Sequence, residues 1–171
     1  MRLLLLSTLA LSACTSIVPT TAMRLSNLSP TTANPADIAV DLTLPTGIDV
    51  SPGSARMLFS MIRTDTGETA EGAFTLDRDG SVFTINPADY AALRALQATA
   101  RQWKAENADA ATGSLSISLS PCRLGAGPDD EARVGVAIQM KQDGAFLPLV
   151  RDGPLSAVTS EAQLRDMPDC A

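Results

Sequence analysis

The sequence predicts a mainly β domain with helices, and three observations lead to that prediction. Short segments in which apolar and polar residues alternate recur along the chain. Asp-Gly pairs join some of these segments as hairpins, and one longer segment with helical spacing interrupts them. This combination is typical of an antiparallel β-sandwich decorated by helices, or of an α+β sheet with one long crossover helix (about 87–106) and a short C-terminal helix. The pattern alone leaves both architectures open.

The first predicted strand is 38–44, because its alternation places Ile38, Val40 and Leu42 on one face. The segment 56–63 contains a more continuous apolar run, as expected of a central strand. Asp79-Gly80 and Asp143-Gly144 each lie between two alternating runs and predict hairpins. The other predicted strand segments are 48–50, 74–76, 82–85, 114–119, 134–140 and 146–150.

The long helix begins at a clear capping signal. Asn86 is the predicted cap, and Pro87 occupies the first turn, where a missing N–H costs nothing. One apolar stripe follows at spacings of three and four, formed by Tyr90, Leu93, Leu96, Ala100 and Trp103. A second, short helix is predicted over 160–165 with Ser160 as its cap.

The amino terminus has the composition of an export signal. Arg2 is followed by an apolar run that is much shorter than the roughly 20 residues needed to span a bilayer, and small residues precede Cys14. Leu11-Ser12-Ala13-Cys14 resembles the lipobox of bacterial lipoproteins. The resemblance implies that the signal is cut before Cys14 and that fatty chains such as palmitate are attached there. An ordinary secretory signal that ends near a cysteine is the alternative.

This interpretation divides the chain into three parts. Residues 1–13 are the signal peptide, residues 14–35 are the lipidated amino terminus and a Ser-, Thr- and Pro-rich flexible tether, and residues 36–171 are a single globular domain. Thr15 and Ser16 follow the lipidated residue, and neither is the aspartate that retains some lipoproteins in the inner membrane. We therefore expect a lipid-anchored protein that faces the periplasm, in the outer rather than the inner membrane.

Charge and composition exclude several classes of function. The formal net charge is -6, and it becomes -7 once Arg2 is removed with the signal, so nucleic acid and anionic head groups are not expected partners. The chain contains no histidine, which excludes Ser-His-Asp and Cys-His sites and histidine-ligated zinc. We expect no cofactor and no enzymatic activity.

Two cysteines remain after Cys14 is assigned to the lipid anchor. Cys122 and Cys170 form an even pair in an exported protein and predict a disulfide. Such a bond closes a loop of roughly 50 residues, which is worth about 4 kcal/mol in the chain-entropy description. Metal binding by these two cysteines is the weaker alternative.

Polar clusters give only modest functional signals. A long loop contains three adjacent carboxylates, Asp129, Asp130 and Glu131. This acidic cluster is interpreted as a solvated loop, with a weak calcium site or a patch that faces a partner as alternatives. Ser114, Ser116, Ser118 and Ser120 alternate along a strand as an exposed polar face or a contact for a partner strand.

These observations predict a membrane-anchored, non-catalytic interaction module of the bacterial cell envelope, with an envelope protein as its partner. Such a module presents loops or an edge strand. The alternative is a lipoprotein that binds a small ligand, a lipid, glycan or cation, in a cavity between sheet and helix. The two hypotheses differ in whether the folded domain contains a cavity.

Overall fold

A computed structural model describes residues 30–171 of the chain. The predicted signal, Cys14 and most of the predicted tether lie outside these residues. The strands are β1 (Ala39–Thr43), β2 (Ile48–Val50), β3 (Arg56–Arg63), β4 (Thr69–Asp79), β5 (Val82–Ile85), β6 (Ala111–Ser118), β7 (Pro121–Arg123), β8 (Arg133–Gln139) and β9 (Leu147–Pro154). The helices are α1 (Tyr90–Glu106) and α2 (Glu161–Arg165).

Seven strands form one curled antiparallel sheet in the order β6-β3-β4-β5-β1-β8-β9. The two remaining strands, β2 and β7, pair as a separate ribbon. The predicted mainly β fold with one long helix and a short C-terminal helix is confirmed. Of the two architectures that the sequence leaves open, the structure adopts the sheet with a helix on one face, because the strands do not divide into two packed sheets of a sandwich.

One face of the sheet is apolar across its full width. Cross-strand partners such as Val40 and Phe83, or Met57 and Phe74, lie directly opposite each other and therefore share a face. Helix α1 packs on this same face. A methyl group at Gly72 would lie 3.3 Å from Cδ2 of Leu96, and 2.8 Å from the ring of Phe74. The core therefore sits between α1 and the concave side of the sheet.

Helix caps are confirmed where the sequence predicts them. The side chain of Asn86 accepts a hydrogen bond from the N–H of Ala88 and begins a single 3-10 turn (Pro87–Asp89) that leads into α1. Ser160 and Gln163 form a capping box at the start of α2. Local chemistry is sufficient at both positions, so the sequence locates both helix starts.

Strand ends differ more from the prediction. Strand β4 extends from Thr69 to Asp79, well beyond the predicted 74–76, and the hairpin turn shrinks to Gly80 and Ser81 because Asp79 pairs with Val82. Strand β9 continues to Pro154. The sequence did not predict β7, since three residues starting with a proline carry no alternation. Cross-strand pairing extends β4 and β9 through residues with low β-propensity.

Residues 30–35, which the prediction assigns to the tether, pack against α1. The buried amide of Gln97 donates hydrogen bonds to the carbonyl oxygens of Pro30 (2.7 Å) and Ala33 (2.9 Å). Thr31 is 5% exposed. The ordered packing thus begins before residue 36. Within residues 30–171, no helix combines the length and apolar character required to cross a bilayer.

The turn between β1 and β2 depends on Gly47. Its φ is +86°, and an added Cβ would lie 2.1 Å from the carbonyl oxygen of Gly127. We expect Gly47→Ala to lower the free energy of unfolding by about 3 kcal/mol, from left-handed strain plus a backbone clash. Gly53→Ala is the matched control: its φ is +68° but nothing lies within 4 Å, so a loss of about 1 kcal/mol is expected. Urea denaturation measures both, and equal losses would contradict this account.

Candidate binding site

The curled sheet encloses an apolar cavity of about 430 Å³ at the end that α1 does not cover. The cavity lies between the two ends of the sheet, so β6 and β9 both contribute to its wall although they are its opposite edges. The lining residues are Leu42, Leu44, Ile48, Asp49, Val50, Leu115, Ser116, Ile117, Ser118, Leu119, Pro121, Val134, Val136, Ile138, Leu149, Val150, Leu155, Val158, Thr159 and Gln163.

Both edge strands contribute neighbouring residues to the cavity wall. Leu115, Ser116 and Ile117 of β6 line the cavity, and so do Leu149 and Val150 of β9. We call the region between the two edge strands, bordered by Leu115–Ser118 and Leu149–Val150, the seam.

Both borders of the seam are free strand edges in the part of the chain that the structure describes. Strand β6 pairs with β3 on its other side, and β9 pairs with β8. Over residues 30–171, neither strand has a partner on the side that faces the seam. Leu115 and Ile117 remain only half-buried at its lip. In the described residues, the sheet therefore curls so that its two edge strands line the same cavity without pairing with each other.

The seam presents almost no charge. Among residues 30–171, Asp49 is the one charged residue that lines the cavity, and an oxygen of its carboxylate is 2.6 Å from a guanidinium nitrogen of Arg78. Although partial burial raises the pKa of Asp49, hydrogen bonds from the N–H of Val50 and from Arg78 outweigh that effect and lower it. Arg78 in turn lies 5.5 Å from the ring centre of Phe83. An ionised, paired carboxylate leaves a site that suits apolar groups.

One end of the cavity is closed by segments that a disulfide holds together. Cys122 of β7 is bonded to Cys170, with their Cα atoms 4.9 Å apart, so the structure brings together the two cysteines that the sequence pairs. The N–H of Arg123 donates to the carbonyl of Pro168 (2.7 Å), and the N–H of Cys170 donates to the carbonyl of Arg123 (2.9 Å). The C-terminal segment with Leu155 and α2 is thereby held over the cavity.

The N-terminal end of β6 lies near a cluster of ion pairs. Arg63 at the end of β3 contacts Asp65 (3.0 Å) and Glu106 at the end of α1. The hydrogen bond from Arg63 is the main reason that the pKa of Asp65 falls to about 2. The cluster joins the end of β3 to the end of α1.

The acidic residues that the sequence singles out do not border the seam. Asp129, Asp130 and Glu131 are exposed in the loop between β7 and β8. Across the described residues, no group of three or more His, Cys, Asp or Glu side chains is arranged to hold a metal ion. Cys14, the predicted lipidation site, lies outside the described residues.

The serines of β6 and its two large apolar residues, Leu115 and Ile117, take opposite sides. Ser114, Ser116 and Ser118 are exposed on the outer face, where the hydroxyl of Ser114 is 2.9 Å from that of Ser60. The alternation of this strand was predicted, but its position at an edge and the cavity behind Leu115 and Ile117 were not. One feature of the sequence could have indicated this site: the segment 111–118 contains no charged residue.

We find no protein family, no curated protein and no solved structure that matches this chain.

The disulfide has a measurable role in holding the cover of the cavity. We expect the double substitution Cys122→Ala with Cys170→Ala to lower the free energy of unfolding by about 2–4 kcal/mol, because the bond closes a loop between residues 48 apart in sequence. Urea denaturation of the variant and the oxidised parent measures the difference. The chemically reduced parent is the control and should match the variant. Identical midpoints for the variant and the oxidised parent would contradict the prediction.

Proposed function

We propose that this protein is a membrane-anchored, non-catalytic interaction module of the bacterial cell envelope, and that it binds an envelope protein at the seam. The observation that carries the proposal is an apolar cavity bordered on both sides by free strand edges. Free edges present unpaired backbone donors and acceptors, and proteins rarely leave such edges uncovered unless they are used. A partner that covers the seam buries apolar surface and pairs these groups at once.

The chemistry of the seam supports binding in preference to catalysis. Its one charged lining residue, Asp49, is neutralised by Arg78, and the chain has no histidine. A general acid or base needs a titratable group within reach of the substrate. Nothing in the described part of the cavity wall supplies a free one.

The lipobox supports the proposed location. Fatty chains on Cys14 would hold the domain at the periplasmic face of a membrane, and the outer membrane is the proposed one because residues 15 and 16 are Thr and Ser. Stable anchoring needs more than one acyl chain, since a single chain binds membranes only marginally. The net charge of the chain, -6, supplies no electrostatic attraction to anionic lipids.

Site-specific photo-crosslinking in intact cells tests the interaction module. A photoreactive residue at Ser116, at the lip of the seam, is expected to yield one reproducible crosslinked protein. The same residue at Glu71 is the control, because Glu71 is exposed on β4 and does not line the cavity.

The same experiment in a Cys14→Ser chain tests the anchor, and loss of both the crosslink and membrane association is expected there. Equal crosslinking from Ser116 and Glu71, or none from Ser116, would contradict binding at the seam. Full membrane association of the Cys14→Ser chain would contradict the lipid anchor.

A second candidate is a carrier for a small apolar ligand, and the size of the cavity favours it. A volume of about 430 Å³ is typical of ligand pockets and well above the roughly 150 Å³ of an apolar cavity that takes up benzene. A flexible hydrocarbon chain is an apolar ligand suited to a cavity of this size.

Native mass spectrometry of the protein extracted from its membranes tests this candidate. If the cavity holds a ligand, an adduct is expected for the parent and should decrease at least about tenfold in Ile117→Trp, because the indole fills the cavity. Ile62→Trp is the matched control, since Ile62 is 47% exposed on the outer face of β3. An adduct that Ile117→Trp leaves unchanged would exclude the cavity as its site.

A further inference from the structure

We propose that the partner contributes an extended peptide segment that pairs with the free edge of β6 and inserts alternate apolar side chains into the cavity. The proposal rests on the proposed function and specifies how the seam recognises its partner. In strand addition of this kind, backbone hydrogen bonds supply affinity and side-chain pockets supply specificity. The seam provides both elements on the same strand.

The hydrogen-bond pattern of β3 shows which backbone groups of β6 are free. The N–H of Arg63 donates to Glu68 on the β4 side (2.8 Å), whereas the N–H of Thr64 donates to the carbonyl of Ala110 on the β6 side (3.0 Å). Direction alternates along an antiparallel strand. In the continuous register of β3 and β6, Ser114 and Ser116 therefore direct their backbone groups to β3, and Leu115 directs its N–H and C=O to the seam.

The residues with free backbone groups are also those with side chains in the cavity. Leu115 and Ile117 both line the cavity. Ile117 lies two residues after Leu115 in the same register, so its N–H and C=O also face the seam. A residue paired opposite either of them places its own side chain on the same face, which is the cavity side. About 430 Å³ is close to three times the roughly 150 Å³ that holds a benzene ring, so about three branched side chains fit.

The two edges of the seam differ in how open they are to a new strand. Strand β9 contains Pro148 and Pro154, the pair Arg151 and Asp152, and register shifts against β8. Prolines, charges and bulges are the features that protect edges from pairing. Strand β6, with the sequence ATGSLSIS, contains none of these and keeps an unbroken register with β3. The incoming strand is therefore assigned to β6.

Charge complementarity defines the ends of the peptide. Residues 30–171 contain all 19 Asp and Glu but lack Arg2 and Arg24, so 11 Lys and Arg remain and the net charge of these residues is -8. Asp109 precedes β6, and Asp166 lies beside Leu119 and Ser120 at its other end. Over residues 30–171, neither carboxylate belongs to an ion pair. The partner segment is therefore an uncharged, alternating run with Lys or Arg at both ends.

A synthetic peptide tests the proposal directly. The probe is Lys-Lys-Ser-Val-Thr-Val-Thr-Val-Ser-Lys-Lys with a fluorescent label, added to the full-length acylated protein in phosphatidylcholine vesicles, and co-sedimentation gives Kd after subtraction of empty vesicles. Replacing the four lysines by glutamates is expected to weaken binding about tenfold or more at low salt, and the difference should shrink as salt is added.

N-methylation separates strand pairing from simple hydrophobic contact. Two further peptides carry backbone N-methyl groups on either the valines or the intervening residues. Only one of the two sets faces β6, so one peptide should lose binding about tenfold or more and the other should keep it. Equal behaviour of the two methylated peptides, or no binding by the parent peptide, would overturn strand addition.

A protein variant supplies the matched test on the other side of the contact. Leu115→Lys places a charge at the lip of the cavity and is expected to weaken binding of the parent peptide at least about tenfold. Leu58→Lys is the control, because Leu58 is 39% exposed on the outer face of the neighbouring strand. Circular dichroism verifies that both variants are folded. Equal binding by the two folded variants would overturn the assignment of the site.

Other occupants of the seam give distinct results. A bound lipid that the peptide fails to displace in native mass spectra would identify a ligand cavity and overturn the proposal. A dimer that persists at saturating peptide, measured by sedimentation, would show that a second copy covers the edge and would also overturn it. Crosslinking from Ser116 in cells with failure of the methylation test leaves the interaction module intact and excludes only the strand-addition mode.

Discussion

A seven-stranded sheet with one continuous apolar face is much wider than the helix that lies on it. Neighbouring strands are about 4.8 Å apart, so seven of them span roughly 30 Å, whereas an α-helix with its side chains is about 10–12 Å across. Helix α1 packs against β4, where Leu96 lies close to Gly72 and Phe74, and the remaining apolar surface must be buried in another way. The sheet meets this requirement by curling until its two ends approach each other. The seam is the gap that remains between β6 and β9, which do not pair with each other.

The rest of the chain acts as a partial cover. The β2–β7 ribbon places Ile48 and Val50 over the apolar face, and the C-terminal segment adds Leu155. These pieces are short and form few backbone hydrogen bonds of their own, so cross-links hold them in place. The Cys122–Cys170 bond and the backbone hydrogen bonds around Arg123 supply that restraint. The disulfide therefore stabilises the wall of the cavity as well as the end of the chain.

The sequence predicted the parts of this fold that depend on neighbouring residues. Alternation located β1 and β5, a more continuous apolar run located β3, and capping chemistry located the start of α1 at Asn86. Both signals are local, and both are read from a few consecutive residues. The sequence did not predict that β6 and β9 are edges of one sheet, because strand order depends on contacts between distant segments. The half-buried state of Leu115 and Ile117 follows from that order, so the cavity could not be foreseen from the alternation of either strand alone.

The difference between the two edge strands also affects how copies of this protein can meet. A head-to-tail contact, in which β6 of one copy joins β9 of the next, has no natural end and would grow into a fibre. Pro148 and Pro154 lack the backbone N–H that pairing with a further strand would use, and they therefore disfavour that propagation. Two copies that meet through β6 alone form a closed, symmetric pair in which no receptive strand edge is left for a third copy. A domain with one receptive edge thus avoids open-ended polymerisation while it keeps that edge exposed.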